Sequence, residues 1–191
     1  MACFAVLTTA LLDGCRTLPT TASRPWPEQR TALQALERYQ FRGQLAAATA
    51  SEGFSAALSW QQRGPASDAQ LRAPFGLGGA HLRYDESGLQ MTASSGVALS
   101  GAAAQAAMID LLGFEPPLAS LRFWLLGVPD PATPGVELLD NAQHLQRLTQ
   151  GEWRIDYSDY APRGGWWLPG LVTLRRDDTR LKVRINRWRL P

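Results

Sequence analysis

The sequence predicts a β-rich α+β fold organised on a curled antiparallel sheet or barrel. Three observations carry this. Short stretches alternate apolar and polar residues, the period-two pattern of strands with one buried face. Breaks rich in Gly, Pro and Asp separate them at roughly eight- to twelve-residue spacing, the rhythm of antiparallel sheets. Three further segments carry helical signals and can cover such a sheet. Composition agrees: 191 residues suffice for one domain with a core, and 45% hydrophobic against 19% charged residues places the chain among globular proteins, not disordered ones.

The chain opens on an apolar run, Met1 to Leu12, too short to span a bilayer and similar to the core of an export signal. It leads into Leu11-Leu12-Asp13-Gly14-Cys15: an aliphatic residue, then a small residue, then Cys, the order of a bacterial lipobox. Asp13 is unusual there and no Lys or Arg precedes the run, so a start upstream of Met1 would restore a basic leader. A plain N-terminal helix with an incidental cysteine is the other reading. On the lipobox reading, residues 1–14 are a signal peptide and Cys15 is lipidated. Residues 15–25, rich in Thr, Ser and Pro, form a tether, and 26–191 form a single domain. One acyl chain gives marginal membrane attachment, whereas several make it effectively permanent.

Cys3 and Cys15 are the only cysteines, so the domain beyond them carries neither a disulfide nor a thiolate metal site. His81 and His144 share no metal-ligand spacing. No cofactor is expected, and a net charge of +2 gives no argument for nucleic acid. The stretch Gly76-Leu77-Gly78-Gly79 lacks the Lys-Ser or Lys-Thr of a phosphate-binding loop.

Trp26 to Tyr39 reads as a helix, with Pro27 in its first turn and Leu33, Leu36 and Tyr39 on one face; Gly43 interrupts it and strands begin. Phe54, Ala56, Leu58 and Trp60 alternate with Ser55, Ala57, Ser59 and Gln61. Further alternation runs through Ala69–Ala73, Ala80–Tyr84 and Leu89–Ala93. Pro74-Phe75-Gly76 is a tight turn. Ser100 is placed to cap a helix over Ala102 to Leu112, and residues 129–134 form a Pro-rich loop. Strands resume over Leu145 to Tyr157, where Trp153, Ile155 and Tyr157 share a phase, and again at Leu171 to Leu174. The last strand, Leu181 to Leu190, slips phase near Asn186, which predicts a bulge. Lys182 and Arg184 share its outer face near Arg175 or Arg176. That face is either solvated or attracts anionic lipid headgroups or an acidic partner.

Pro117 to Pro129 predicts a short helix with an unusual distribution of side chains. Pro117 suits its start, Gly127 its C′ position, and Pro129 stops it. Leu118, Leu121, Trp124 and Leu125 form one arc; Phe123 and Leu126 lie outside it. A helix apolar on more than one side is either sandwiched in a core or packs on its protein with one side and faces an apolar ligand with the other. Wide aromatics in the strands (Phe54, Trp60, Tyr84, Trp153, Tyr157) mixed with small alanines could frame a cavity or simply pack.

The order and spacing of these residues resemble the LolB family of outer-membrane lipoproteins. The resemblance runs through Leu12-Asp13-Gly14-Cys15, Trp26, Tyr39, Arg42-Gly43, Trp60-Gln61-Gln62, Leu71 to Gly76, Pro117 to Pro129, Trp153, Tyr157, Leu168-Pro169 and Lys182 to Trp188. It implies an incomplete, unclosed antiparallel β-barrel with a helical lid over a hydrophobic cavity. It implies an outer-membrane receptor on the periplasmic face that accepts lipoproteins from the periplasmic carrier LolA and inserts them into the inner leaflet. Acyl chains would meet Phe54, Leu58, Trp60, Leu71, Leu82, Leu118, Leu121, Trp124, Leu125, Trp153 and Tyr157. Pro74, Phe75 and Gly76 would form a membrane-insertion loop, with Phe where Leu is expected. The protein is expected to be a monomer anchored through Cys15. Arg16 follows Cys15, and the absence of Asp there is compatible with the outer membrane.

Three other classes bear on the chain. An envelope hydrolase needs a nucleophile, base and orienter, but Ser120 and Ser158 lie in no nucleophile elbow and the histidines have no evident partners. A structural or assembly lipoprotein binding another envelope protein without carrying lipid accounts for Cys15 and the arginines, but not for the doubly apolar helix. A soluble carrier of the same fold would conflict with an anchor at Cys15.

Overall fold

Alternating side chains build one long antiparallel sheet in the structure, a computed structural model that describes residues 24–76 and 78–191. The expected signal peptide, Cys15 and the expected tether up to residue 23 lie outside the described residues.

Helix α1 (Trp26–Gln34) leads into β1 (Arg38–Ala48), β2 (Gly53–Arg63), β3 (Ala66–Arg72), a single 3₁₀ turn (Pro74–Gly76), β4 (Gly79–Asp85), β5 (Gly88–Ala93) and β6 (Ala98–Ser100). Helices α2 (Gly101–Leu112) and α3 (Leu118–Trp124) follow, then β7 (Gly135–Leu139), β8 (Leu145–Gln150), β9 (Trp153–Ser158), a small hairpin of β10 (Ala161–Arg163) and β11 (Trp166–Leu168), β12 (Leu171–Arg176) and β13 (Thr179–Arg189). The main sheet has eleven strands in the order β6-β5-β4-β3-β2-β1-β13-β12-β9-β8-β7, all neighbours antiparallel. Its margins, β6 and β7, do not pair with each other, so the barrel is unclosed. The fold is the incomplete antiparallel barrel that the sequence and its resemblance imply, with α2 and α3 over the concave face.

Two sequence expectations need correction at the N-terminal end of the domain. The first helix stops at Gln34, and Tyr39 belongs to β1. From Tyr39 the inward residues are Tyr39, Phe41, Gly43, Leu45 and Ala47, a period of two that overrides the three-residue spacing shared with Leu33 and Leu36. Gly43 does not interrupt the chain; it sits inside β1, where a Cβ would lie 2.0 Å from the Arg184 carbonyl oxygen. That close approach accompanies the bulge expected near Asn186. Arg42 pairs with Arg187 and Gly43 with Ile185, leaving Asn186 as the extra residue.

Pro117 precedes α3 as its cap residue, and Gly127 ends the helical tail with φ of 76°. Ser100 stands at the start of α2 but its side chain makes no capping hydrogen bond; it also closes β6. Helix α1 is tied across the fold by Trp26 Nε1 donating to Glu137 Oε2 at 2.7 Å and by an Arg30–Glu137 ion pair at 2.8 Å.

Candidate functional site

The inward residues of β1 to β5 and β13 and the undersides of α2 and α3 enclose an apolar cavity. Leu45, Leu58, Trp60, Ala69, Leu71, Leu82, Tyr84, Leu89, Leu181 and Val183 supply its sheet wall. Met108 and Leu112, one helical turn apart on α2, join Pro116 and Leu118, Leu121 and Leu125 of α3 to roof it. Ser67 and Tyr84 bring the hydroxyls in the lining, and that of Ser67 is satisfied, donating to Gln62 Oε1 at 2.8 Å. Gln62 also accepts from Trp60 Nε1 at 3.2 Å and donates to the Gly64 carbonyl at 2.9 Å. The space thus offers an occupant no unpaired polar group from Ser67 or Gln62, which suits hydrocarbon and no polar ligand.

The cavity's free volume is about 50 Å³. Sites for drug-sized ligands are roughly 300–1,000 Å³, so the space is narrower in this structure than a ligand of that size needs. A wider space of about 290 Å³ adjoins it and shares Tyr84, Leu89, Met108, Pro116 and Leu118 with it, making this the mouth. Gln105, Glu115 and Ser120 stand at the mouth's rim.

The two roof helices are held differently. Helix α3 is fastened by four side-chain hydrogen bonds. Tyr39 Oη donates to the Arg122 carbonyl at 2.6 Å, and Arg122 Nη1 to the Gly64 carbonyl at 3.1 Å. Ser120 Oγ donates to Asp130 Oδ2 at 2.8 Å, and Trp124 Nε1 to Gln150 Oε1 at 2.6 Å. Gln150 also accepts from the Asp130 N–H at 2.9 Å and donates to the carbonyls of Asp130, at 2.8 Å, and Thr133. Among the described residues, α2 has no side-chain hydrogen bond. It runs between Gly101 and Gly113, both at positive φ, and packs chiefly on β5 and β6.

Of the eleven side chains expected around acyl chains, Leu58, Trp60, Leu71, Leu82, Leu118, Leu121 and Leu125 line the cavity together. Phe54, Trp124, Trp153 and Tyr157 lie outside its lining. Phe54 is half-buried at the β1–β2 end, opposite Ala47. Trp124 turns to the other side of α3, with its ring centroid 6.4 Å from that of Trp153, which in turn meets Phe114. The Tyr157 hydroxyl is buried away from the cavity, and burial pushes its pKa up. The doubly apolar helix therefore has one side on the cavity and the other, with Phe123, Trp124 and Leu126, in the core. Leu45, Leu89, Met108, Leu112, Leu181 and Val183 were not singled out from sequence; the strand phases and the Met108–Leu112 helical pair were the available signal.

The turn of Pro74, Phe75 and Gly76 stands at the far end of β4 from Tyr84 at the mouth. Phe75 is 98% exposed and has φ 56° and ψ 22°, a left-handed conformation disfavoured for a bulky side chain. It is both an exposed aromatic and a strained one, with no fold contact in return. Such outliers concentrate at functional positions.

The candidates for other chemistry are tied up elsewhere. His81 pairs with Asp68 at 2.8 Å on the exposed face, a partner not evident from sequence. His144 is buried against Tyr160 and Trp167. Ser120 donates to Asp130 within the α3 fastening.

Comparison with known proteins bears on this arrangement at two levels. In fold, the chain is similar to a LolA-superfamily protein from Nitrosomonas europaea, with a TM-score of 0.54 over 88% of this chain and 94% of that one at 8% identity. It is also similar to a DUF1329 family protein from Desulfovibrio piger, with a TM-score of 0.52 over 86% and 90% at 7% identity. In sequence, it is 33% identical over 186 residues to an outer-membrane lipoprotein LolB of Nitrosococcus oceani, covering 94% of this chain and 92% of that one. It is 31% identical to the Alkalilimnicola ehrlichii LolB, over 96% and 94%, and 28% identical to that of Pseudomonas aeruginosa, over 94% and 91%. The sequence model described as outer membrane lipoprotein LolB matches residues 37–188, which hold the whole cavity, its roof and the Phe75 turn, and the chain belongs to the LolB family of outer-membrane lipoproteins.

Proposed function

We propose that this protein is a receptor, anchored in the outer membrane through acylated Cys15, that accepts lipoproteins from the periplasmic carrier LolA. It shelters their acyl chains in the cavity and releases them into the inner leaflet. The observation that carries this reading is the apolar cavity under a roof with one fastened and one unfastened helix. Acyl chains enter at the mouth beside Tyr84 and Leu118, and the cavity widens as α2 lifts from β5 and β6 while α3 stays in place.

The physics of the step is partition, not bond making. Each methylene kept from water is worth ~0.8 kcal/mol, so a chain does not cross open water between two proteins readily. A mouth-to-mouth handover avoids that exposure. Net transfer then requires that the cavity hold chains better than the carrier does and less well than the bilayer. Phe75 serves the last stage by entering the interface, where an aromatic ring is well accommodated.

The test is to mix the receptor with LolA carrying a labelled lipoprotein and follow the label. It moves to the wild-type receptor, and Leu121→Glu, which puts a charge into the cavity wall, blocks the movement. Phe75→Glu leaves uptake unchanged and impairs delivery to vesicles. A label that stays on a competent carrier in the presence of folded wild-type receptor overturns the proposal.

A further inference from the structure

The face of the sheet turned away from the cavity carries a groove of about 550 Å³ that the cavity and its roof do not use. Strand register builds it. Arg184, Gln44, Ala57 and Arg72 stand in one row across β13, β1, β2 and β3, each opposite the next. Lys182, Ala46 and Ser55 form the row beside it. All seven side chains are exposed. The floor holds the short Ala46, Ser55 and Ala57 beside Gln44, while the walls are long and cationic. Arg72 stands on one side and Lys182 and Arg184 on the other, three strand spacings or about 14 Å apart.

Two features say what such a groove receives. Its lining includes no carboxylate. Asp159 meets Arg184 at 3.2 Å from a neighbouring loop, and Lys182 has no ion-pair partner among the described residues. The groove is thus positive and complementary to an anion. It also runs out through Ala73 and Pro74 into the turn that presents Phe75. Cations around Ala46 and Ala57, continuous with a fully exposed aromatic, match the phosphate and upper methylenes of a membrane lipid.

We propose that this groove binds the headgroup of an anionic phospholipid in the membrane that Phe75 enters. The inference rests on the insertion reading of Phe75 given above. Arg72, Lys182 and Arg184 meet the phosphate, and Ala46 and Ala57 lie against the glycerol end. Each cation is expected to strengthen the contact about fivefold near an anionic surface, an effect that salt screens.

The test uses the acylated protein in vesicles, with a nitroxide at Ser55→Cys in the groove or at Phe75→Cys in the turn. The readout is collision of the label with a water-soluble nickel relaxant. Vesicles are phosphatidylcholine alone or phosphatidylcholine with phosphatidylglycerol. The expected result is a groove label shielded only when phosphatidylglycerol is present. Shielding is lost in high salt and in the triple variant Arg72→Gln, Lys182→Gln, Arg184→Gln, while the turn label stays shielded in both vesicles. A groove label at Ala46→Cys repeats the reading in case the Ser55 label itself fills the site. A groove label equally wet or equally shielded in the two vesicles overturns the inference and leaves insertion standing. Shielding that needs loaded LolA instead of phosphatidylglycerol also overturns it, assigning the groove to a protein. A wet turn label with a shielded groove label overturns the insertion reading and supports the groove on its own.

Discussion

The Trp124 indole donates to the Gln150 side chain at 2.6 Å, joining α3 to β8 inside the protein. The same amide holds the backbone of Asp130 on both its N–H and its carbonyl. One side chain therefore secures the helix, the loop after it and the sheet. Gln150→Leu strands two buried donors, each costing about 1–3 kcal/mol, so a loss of roughly 2–6 kcal/mol is expected in denaturant unfolding. Trp124→Phe removes a single donor and leaves Gln150 bonded to Asp130; it should cost less. Equal losses would show that the amide does not act as a shared fastening.

Phe75 bears a conformational penalty that glycine would not. The left-handed region costs a bulky residue about 1–2 kcal/mol, partly offset by the greater unfolded-state freedom of glycine. Phe75→Gly should therefore be as stable as the parent or up to about 1 kcal/mol more stable, while delivery of cargo to vesicles falls. Unfolding curves and vesicle delivery measured on the same preparation check both halves. A destabilised variant would mean that the ring has a packing role.

The C-terminal end of α2 is the place to test its freedom. Gly113 has φ of 81°, and a Cβ there would sit 2.6 Å from Thr49 Cγ2. Gly113→Ala should destabilise by about 1–3 kcal/mol through strain and clash together. Thr49→Ala in the same chain removes the clash but not the strain, so it should restore only part of the loss. Hydrogen exchange should show the effect concentrated in α2, with α3 little changed.

Alkaline pH should weaken the fold. Tyr39 and Tyr157 are buried and Tyr160 is half-buried with its hydroxyl donating to the Leu145 carbonyl, and desolvation pushes all three hydroxyls above the ordinary tyrosine value. Each is neutral in the folded state when the unfolded chain already loses its proton. The stability they confer is full below about pH 10 and declines above it, by up to ~1.4 kcal/mol per pH unit for each tyrosine. Tyr39→Phe removes one titration and the hydrogen bond to the Arg122 carbonyl. Its unfolding free energy should fall less steeply with pH above 10 than that of the parent.

Much of this architecture could be read from residue order. Strands with clean alternation, such as Phe54 to Gln61, were found because one face is buried and the other wet. The phase slip at Asn186 revealed the bulge because a single extra residue exchanges the two faces. β1 was misread at its start because Leu33, Leu36 and Tyr39 fit a helix locally, and only pairing with β2 and β13 selects the strand. The hairpin of β10 and β11 turns on Gly164-Gly165, both at positive φ, the glycine pair that such a tight turn requires. For the cavity, seven of the eleven named residues converge: strand phase directs Leu58, Trp60, Leu71 and Leu82, and the helical arc directs Leu118, Leu121 and Leu125. Trp124 does not because α3 is apolar on two sides, and Trp153 and Tyr157 do not because a wide apolar residue in phase with the sheet can meet core as well as cavity. Which it meets depends on where the roof helices land.

A closed barrel has its girth set by the number and stagger of its strands. Here β6 and β7 are free margins, so no ladder fixes the perimeter. The margins can draw apart with every backbone pair intact, and swelling is resisted by side-chain packing under the roof and by the hydrogen bonds that fasten α3. A container of this kind adapts its volume to its contents. On the proposed receptor role, guests of different length or acyl number would be held by the same means, and recognition of any one guest would fall to surfaces outside the barrel.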